Sequence, residues 1–137
     1  MSDVDLVEFN EHGAISVGVV HAGSVLDALN VAQFGASVLA YVKKNPGLRL
    51  LLDFHQVGYL SSAVLTELLR INQTCKEMGG ELRLCALNDD ILKVFEITNL
   101  DKMFTIYASA DDAVVKYARS LAVEAQEEAW TQVQRDA

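Results

Sequence analysis

Apolar positions along the chain come in two spacings, and the change between them is clearest near the middle. The run from Leu48 to Leu52 is almost continuously apolar, the pattern of a central strand buried on both faces. A polar turn follows. After Ser61-Ser62 the apolar residues return at helical spacing: Val64, Leu65, Leu68, Ile71 and Cys75 fall on or near one side, with Thr66, Glu67, Arg70, Gln73 and Lys76 elsewhere. Gly79-Gly80 ends that helix, because glycine enters the left-handed region without steric penalty. Leu82 to Leu87 reads as the next strand. The predicted unit is strand, serine-capped helix, strand.

The flanking segments add to it. Val4 to Phe9 alternates, Asn10 to Gly13 is a turn, and Ala14 to Val20 is a second strand, giving an edge hairpin. His21 to Ser24 reads as a loop. A helix capped by Asp27 or Asn30 then carries Val31, Phe34, Val38, Leu39 and Val42 on one stripe, ends with Lys43-Lys44, and stops at Asn45-Pro46-Gly47. Asn88-Asp89-Asp90 opens a helix with Ile91, Leu92, Val94 and Phe95 inward. Asn99 suits a turn at positive φ, and Phe104 to Tyr107 is a short strand. Ser109 with Asp112 forms a variant capping box for a last helix. Its stripe is Val114, Tyr117, Ala118, Leu121, Ala122 and Ala125, extended by Trp130 and Val133.

These elements predict a single α/β domain, a mixed β-sheet with an N-terminal hairpin and about four helices mostly packed on one face. At 137 residues it can bury roughly two thirds of its unfolded surface. The net charge of −8 argues against nucleic acid and against a polybasic membrane contact, and suits either solubility or a basic protein partner. No apolar run is long enough to cross a membrane, and the first residues lack the pattern of a signal peptide. Cys75 and Cys85 lie inside apolar patterns and read as buried reduced thiols, as in a cytoplasmic protein.

Candidate chemistry is sparse. His12, His21 and His55 share no metal-ligand spacing with one another or with the cysteines, no glycine-rich phosphate loop follows a strand, and no cofactor is expected. A Ser62, His55, Asp53 triad can be drawn, but Asp53 and His55 are two residues apart and nothing supplies an oxyanion hole; Asp53 fits better as a partner of turn amides. No catalytic residue is assigned. Ser61 reads as the N-cap, its hydroxyl accepting from the amide of Ala63 or Val64.

The run from Asp53 through Gly79-Gly80-Glu81-Leu82-Arg83-Leu84-Cys85 resembles a STAS domain, the fold of bacterial anti-sigma-factor antagonists. Phe95-Glu96-Ile97-Thr98-Asn99-Leu100 resembles the family's segment leucine/phenylalanine-x-x-threonine-glycine-leucine, with Asn99 in the glycine's place. The resemblance spans Val4 to Ala118. Residues 119–137 then form a helical extension, acidic through Glu124, Glu127 and Glu128, with a frayed end. That extension is either a solvated tail or a seam for a homodimer or another partner.

The resemblance implies a cytoplasmic, non-enzymatic regulator that binds an anti-sigma kinase and frees a sigma factor, with a serine phosphatase as the reversing partner. In such antagonists the turn is commonly aspartate-serine-serine-glycine, with the second serine phosphorylated. Counted back from Gly79-Gly80, Ser61 falls on the aspartate, Ser62 on the first serine and Ala63 on the acceptor. Three alternatives stay open: Ser62 as a displaced acceptor with Ser61 behind it, an unswitched binder or scaffold, or a STAS branch with another partner, such as a soluble subunit of a membrane transport assembly. A small-ligand or nucleotide-binding domain is the remaining class. The implied partner surface is Ser61, Ser62, Ala63, Thr66, Glu67 and Arg70.

Overall fold

A computed structural model describes residues 6–21, 24–26 and 30–136. Its centre is β4 (Arg49–Asp53) in a five-stranded sheet of order β1-β2-β4-β6-β7. β1 (Val7–His12) and β2 (Ile15–Val20) form the antiparallel hairpin at one edge. β2, β4, β6 (Glu81–Cys85) and β7 (Ile106–Tyr107) run parallel, with Leu51 level with Val17 on one side and Arg83 on the other. The sheet is mixed.

The two-residue period of β4 sorts the core. Leu50 and Leu52 join Leu82, Leu84 and Val20 beneath three helices: α1 (Val31–Lys44), α2 (Ser62–Glu77) and α3 (Asp89–Ile97). Leu51 faces the other way, with Ile15, Val17 and Cys85, and is covered by α4 (Ala110–Asp136) through Ala113 and Tyr117. Three helices therefore share one face and the fourth covers the other. A one-residue slip of β4 would exchange the two sets.

A cluster on β6 clamps α4. The buried Arg83 donates from Nε to Glu81 at 2.9 Å, and from Nη1 to Tyr107 and Ser120, each at 2.8 Å. Its guanidinium lies 4.1 Å from the centre of the Tyr117 ring, whose hydroxyl donates to the Glu81 carbonyl at 3.0 Å. Burial works against the Arg83 charge, but the bonds to Glu81 and Tyr107 outweigh it and raise the pKa.

Several boundaries differ from those expected. β1 continues through Asn10-Glu11-His12, and Gly13 at φ +65° makes the turn with Ala14. Ladder pairing with β2 overrides the turn chemistry of Asn10, since polar side chains on an edge strand stay in solvent. Two short strands, β3 (Ser24–Leu26) and β5 (Val57–Leu60), form a separate parallel pair where a loop and a polar turn were expected. β6 stops at Cys85 because Ala86 turns to φ +61°. Val94 is 40% exposed and Ile97 74%, so α3 packs through Ile91 and Phe95 and not through Val94. Asn99 takes the expected left-handed conformation, at φ +63°. Asn30 occupies the first cap position, its carbonyl accepting from Phe34; the alternative, Asp27, lies outside the described residues, as do Val4 and the side chain of Val133.

The double glycine has two separate jobs. Gly79 takes φ +81° to leave α2, with open space where a side chain would stand. Gly80 runs against the backbone of Leu48, and a Cβ there would meet the Leu48 carbonyl. Gly79→Ala is thus expected to cost about 1 kcal/mol for the left-handed residue, and Gly80→Ala about 1–3 kcal/mol for the clash. Urea unfolding of the two variants gives the order; a Gly80→Ala variant no weaker than Gly79→Ala would contradict it.

Cys75 and Cys85 are buried on opposite faces of the sheet, so they cannot pair. Desolvation pushes their thiols up to about 11 and about 12, with the Asp53 carboxylate adding to the effect at Cys85. The unfolded chain therefore releases these protons first. The stability held in the two thiols is fully present below pH 9 or so and is lost as pH rises towards their folded values. Urea unfolding from pH 8 to 11 is expected to show that loss, reduced in Cys85→Ala relative to its own value at pH 8. An identical pH profile in both proteins would contradict the assignment.

Candidate functional site

β4 ends in a buried carboxylate, and the chain is arranged around satisfying it. Asp53 Oδ1 accepts from the His55 amide and Oδ2 meets His55 Nδ1, each at 2.9 Å. A buried carboxylate without such donors would be costly, so the turn closes on itself. The Asp53–His55 half of the drawn triad therefore forms, although residues so close in sequence had argued against it. Ser62 does not complete it: among the described residues no hydrogen bond joins His55 to either serine. The pair is an anchor for the turn.

From this turn the chain passes into β5. Val57 and Leu60 are buried, while Gly58 and Tyr59 face outward. Asn88, the cap of α3, locks the strand in place: its Oδ1 accepts from the Ile91 amide at 2.8 Å and its Nδ2 donates to the Gly58 carbonyl at 2.9 Å. Between the Asp53–His55 turn and Asn88 lies an open cleft of about 410 Å³, floored by Phe54 and Ala86. Ala86 holds its positive φ while its amide donates to the Tyr107 carbonyl at 3.0 Å. A non-glycine residue in that region costs about 1–2 kcal/mol, and ladder pairing holds it there.

β5 then delivers Ser61 at the cap of α2. Its backbone is extended, as a cap requires, but the hydroxyl does not accept from Ala63 or Val64. The Val64 amide instead bonds the Ser61 carbonyl at 3.0 Å, and Ser61 Oγ is buried with no hydrogen-bond partner among the described residues. The expected cap bond is absent because the side chain turns inward. Ser62, the first helical residue, is exposed, and Ala63 behind it is half-buried.

Ser62, Thr66 and Arg70 follow one another at four-residue spacing on an exposed flank of α2. Glu67 is set apart from them. Its side chain, 16% exposed, leans over Gly35 of α1, where a Cβ would meet its carboxyl, and pairs with Arg70 at 3.4 Å. The sequence-derived surface is thus one flank carrying a hydroxyl, a hydroxyl and a guanidinium, with Glu67 orienting the last.

A mixed sheet with three helices on one face and one on the other, and an exposed serine at the N-terminus of the helix that follows β5, are the features of the STAS class. The family model for the STAS domain matches residues 7–113, and the chain belongs to that family. It is 31% identical over 97 residues to "Putative anti-sigma factor antagonist BtrV" of Bordetella bronchiseptica, covering 71% of this chain and 83% of that protein. The fold matches an anti-sigma-factor antagonist STAS domain protein of Planctomyces limnophilus, at TM-score 0.75 and 20% identity over 82% of this chain and 97% of the other. It also matches the Bacillus cell fate determinant SpoIIAA in its phosphorylated form, at TM-score 0.63 and 15% identity, over 81% and 98% of the two chains. No described helix is long and apolar enough to cross a membrane.

The site residues that sequence reasoning missed are Asn88 and Ala86. The sequence marks Asn88 only as a helix start, and its second bond, to β5, has no local signal. The two capping residues differ in what they contribute. Asn88→Ala is expected to cost about 1 kcal/mol or more, and Ser61→Ala close to nothing, since it removes a buried hydroxyl that bonds nothing. Urea unfolding separates them; equal losses would contradict the inward orientation of Ser61.

Proposed function

We propose that this STAS domain is a cytoplasmic, non-enzymatic anti-sigma-factor antagonist that docks on an anti-sigma kinase through the start of α2. We further propose that Ser62 is the phosphoacceptor. The likeness to BtrV supports the antagonist reading. The exposure of Ser62 at the first helical position, beside a half-buried Ala63 that has no hydroxyl, carries the assignment of the acceptor.

The physical basis is a difference in how the folded domain and its partner meet the same charge. A phosphate on Ser62 adds nearly two negative charges where unpaired helix amides point outward, so the domain accommodates it. The partner, docked against a neutral turn with Thr66 and Arg70 beside it, meets a bulky dianion in a desolvated contact. A loss of about 3 kcal/mol there weakens binding roughly a hundredfold. Release then requires no unfolding and no active site on this chain. A serine phosphatase restores the binding form.

Incubation with ATP and the anti-sigma kinases of its own genome is expected to add one phosphate by intact mass. That phosphate maps to Ser62, is absent in Ser62→Ala and persists in Ser61→Ala. Tight binding with no phosphate gained would make the domain an unswitched antagonist or scaffold. Neither binding nor phosphate would overturn the antagonist reading in favour of a soluble STAS subunit of a transport assembly.

A further inference from the structure

The part of the molecule that the antagonist reading does not use is the far half of α4. The helix has 27 residues, about 40 Å at 1.5 Å per residue, yet its contact with the sheet ends near Leu121. From Ala122 to Thr131 every residue is exposed, including Val123 at 47% and Trp130 at 64%. A helical stretch with no tertiary contact is marginal in water.

One flank runs the length of both halves. Lys116, Ser120, Val123, Glu127 and Trp130 stand at spacings of four, three, four and three residues and so share a side of the helix, with Val123 and Trp130 its apolar members in the exposed half and Ser120 half-buried beside Arg83. Their flank lies to one side of the Ala113–Tyr117 face that is buried on the sheet. In its nearer half the flank opens a groove of about 440 Å³ along Lys116, Arg119, Ser120 and Val123. Val123 is also the midpoint of α4.

We propose that α4 pairs antiparallel with α4 of a second copy, on a two-fold axis passing beside Val123. In that arrangement Val123 meets its own copy, Arg119 stands level with Glu127, and Lys116 stands level with the Trp130 ring. The charges decide the direction. A parallel pair sets Glu127 against Glu127 and Arg119 against Arg119, whereas the antiparallel pair sets basic against acidic and offers a cation to an aromatic face. The paired positions run from Lys116 to Trp130, about 21 Å or four helical turns. Nothing in it touches the Ser62 flank of α2, so the dimer leaves the proposed partner surface open.

Sedimentation equilibrium of the full chain is expected to show a dimer, and Val123→Glu to raise its dissociation constant by about a hundredfold or more. Because Cys75 and Cys85 are fully buried, a cysteine introduced on the surface is the accessible thiol. Val123→Cys is therefore expected to form a disulfide dimer under mild oxidation, and Val115→Cys, whose two copies would stand about 24 Å apart along the antiparallel pair, to remain monomeric on a non-reducing gel. Mixed Lys116→Cys and Trp130→Cys chains are expected to cross-link faster than Trp130→Cys with itself. A wild-type monomer at tens of micromolar, Val123→Cys no faster than Val115→Cys, or Trp130→Cys preferring its own copy would each overturn the proposal.

Discussion

The structure depends on β4 being buried on both faces while ending in a charge. Leu50 and Leu52 fill one core and Leu51 the other, so the strand has a single permitted register between β2 and β6. That register places Asp53 in the interior at the strand's end, where a carboxylate must find donors. It finds the amide and ring of His55, and the tight turn this requires fixes where β5 starts. β5 in turn fixes where α2 starts. The position of the exposed serine is thus set by the satisfaction of a buried carboxylate nine residues earlier.

The other end of α2 is held just as closely. Gly79 turns the chain out of the helix, and Gly80 lets the next residue meet Leu48, so that Glu81 donates to the Leu48 carbonyl at 3.0 Å and β6 enters beside β4. With both ends fixed to neighbouring strands, the helix presents its first turn without freedom to retreat. A rigid helix start suits a binding module: a partner loses little by ordering it, and a charge placed there changes the contact while leaving the fold alone.

How much of this was legible beforehand follows from how local each signal is. The central strand, the serine-led helix and the double glycine were readable, because burial on two faces, helical spacing and a left-handed exit each leave a mark within a few residues. The pair β3 and β5 was not. Val57 and Leu60 are buried while Gly58 and Tyr59 are exposed, a pattern with neither period two nor helical period. Ser61 was placed at the right position with the wrong hydrogen bond, since the inward turn of its side chain depends on packing. Val94 looked apolar enough to bury, but Ile91 and Phe95 already fill that face of α3. Arg83 sits in a strand otherwise apolar at its centre, and the sequence gives no hint that four groups from three elements gather around it. Asn88 shows the same limit, with one bond local and predictable and the other thirty residues away.

The most direct test of the central claim is amide mapping by NMR, with isotope-labelled protein titrated with an unlabelled anti-sigma kinase. Shift changes concentrated from Gly58 to Arg70, with the β1–β2 hairpin unmoved, are the result expected if the start of α2 is the docking surface. Changes confined to the hairpin or to the distal half of α4, with Ser62 and Thr66 unaltered, would contradict it.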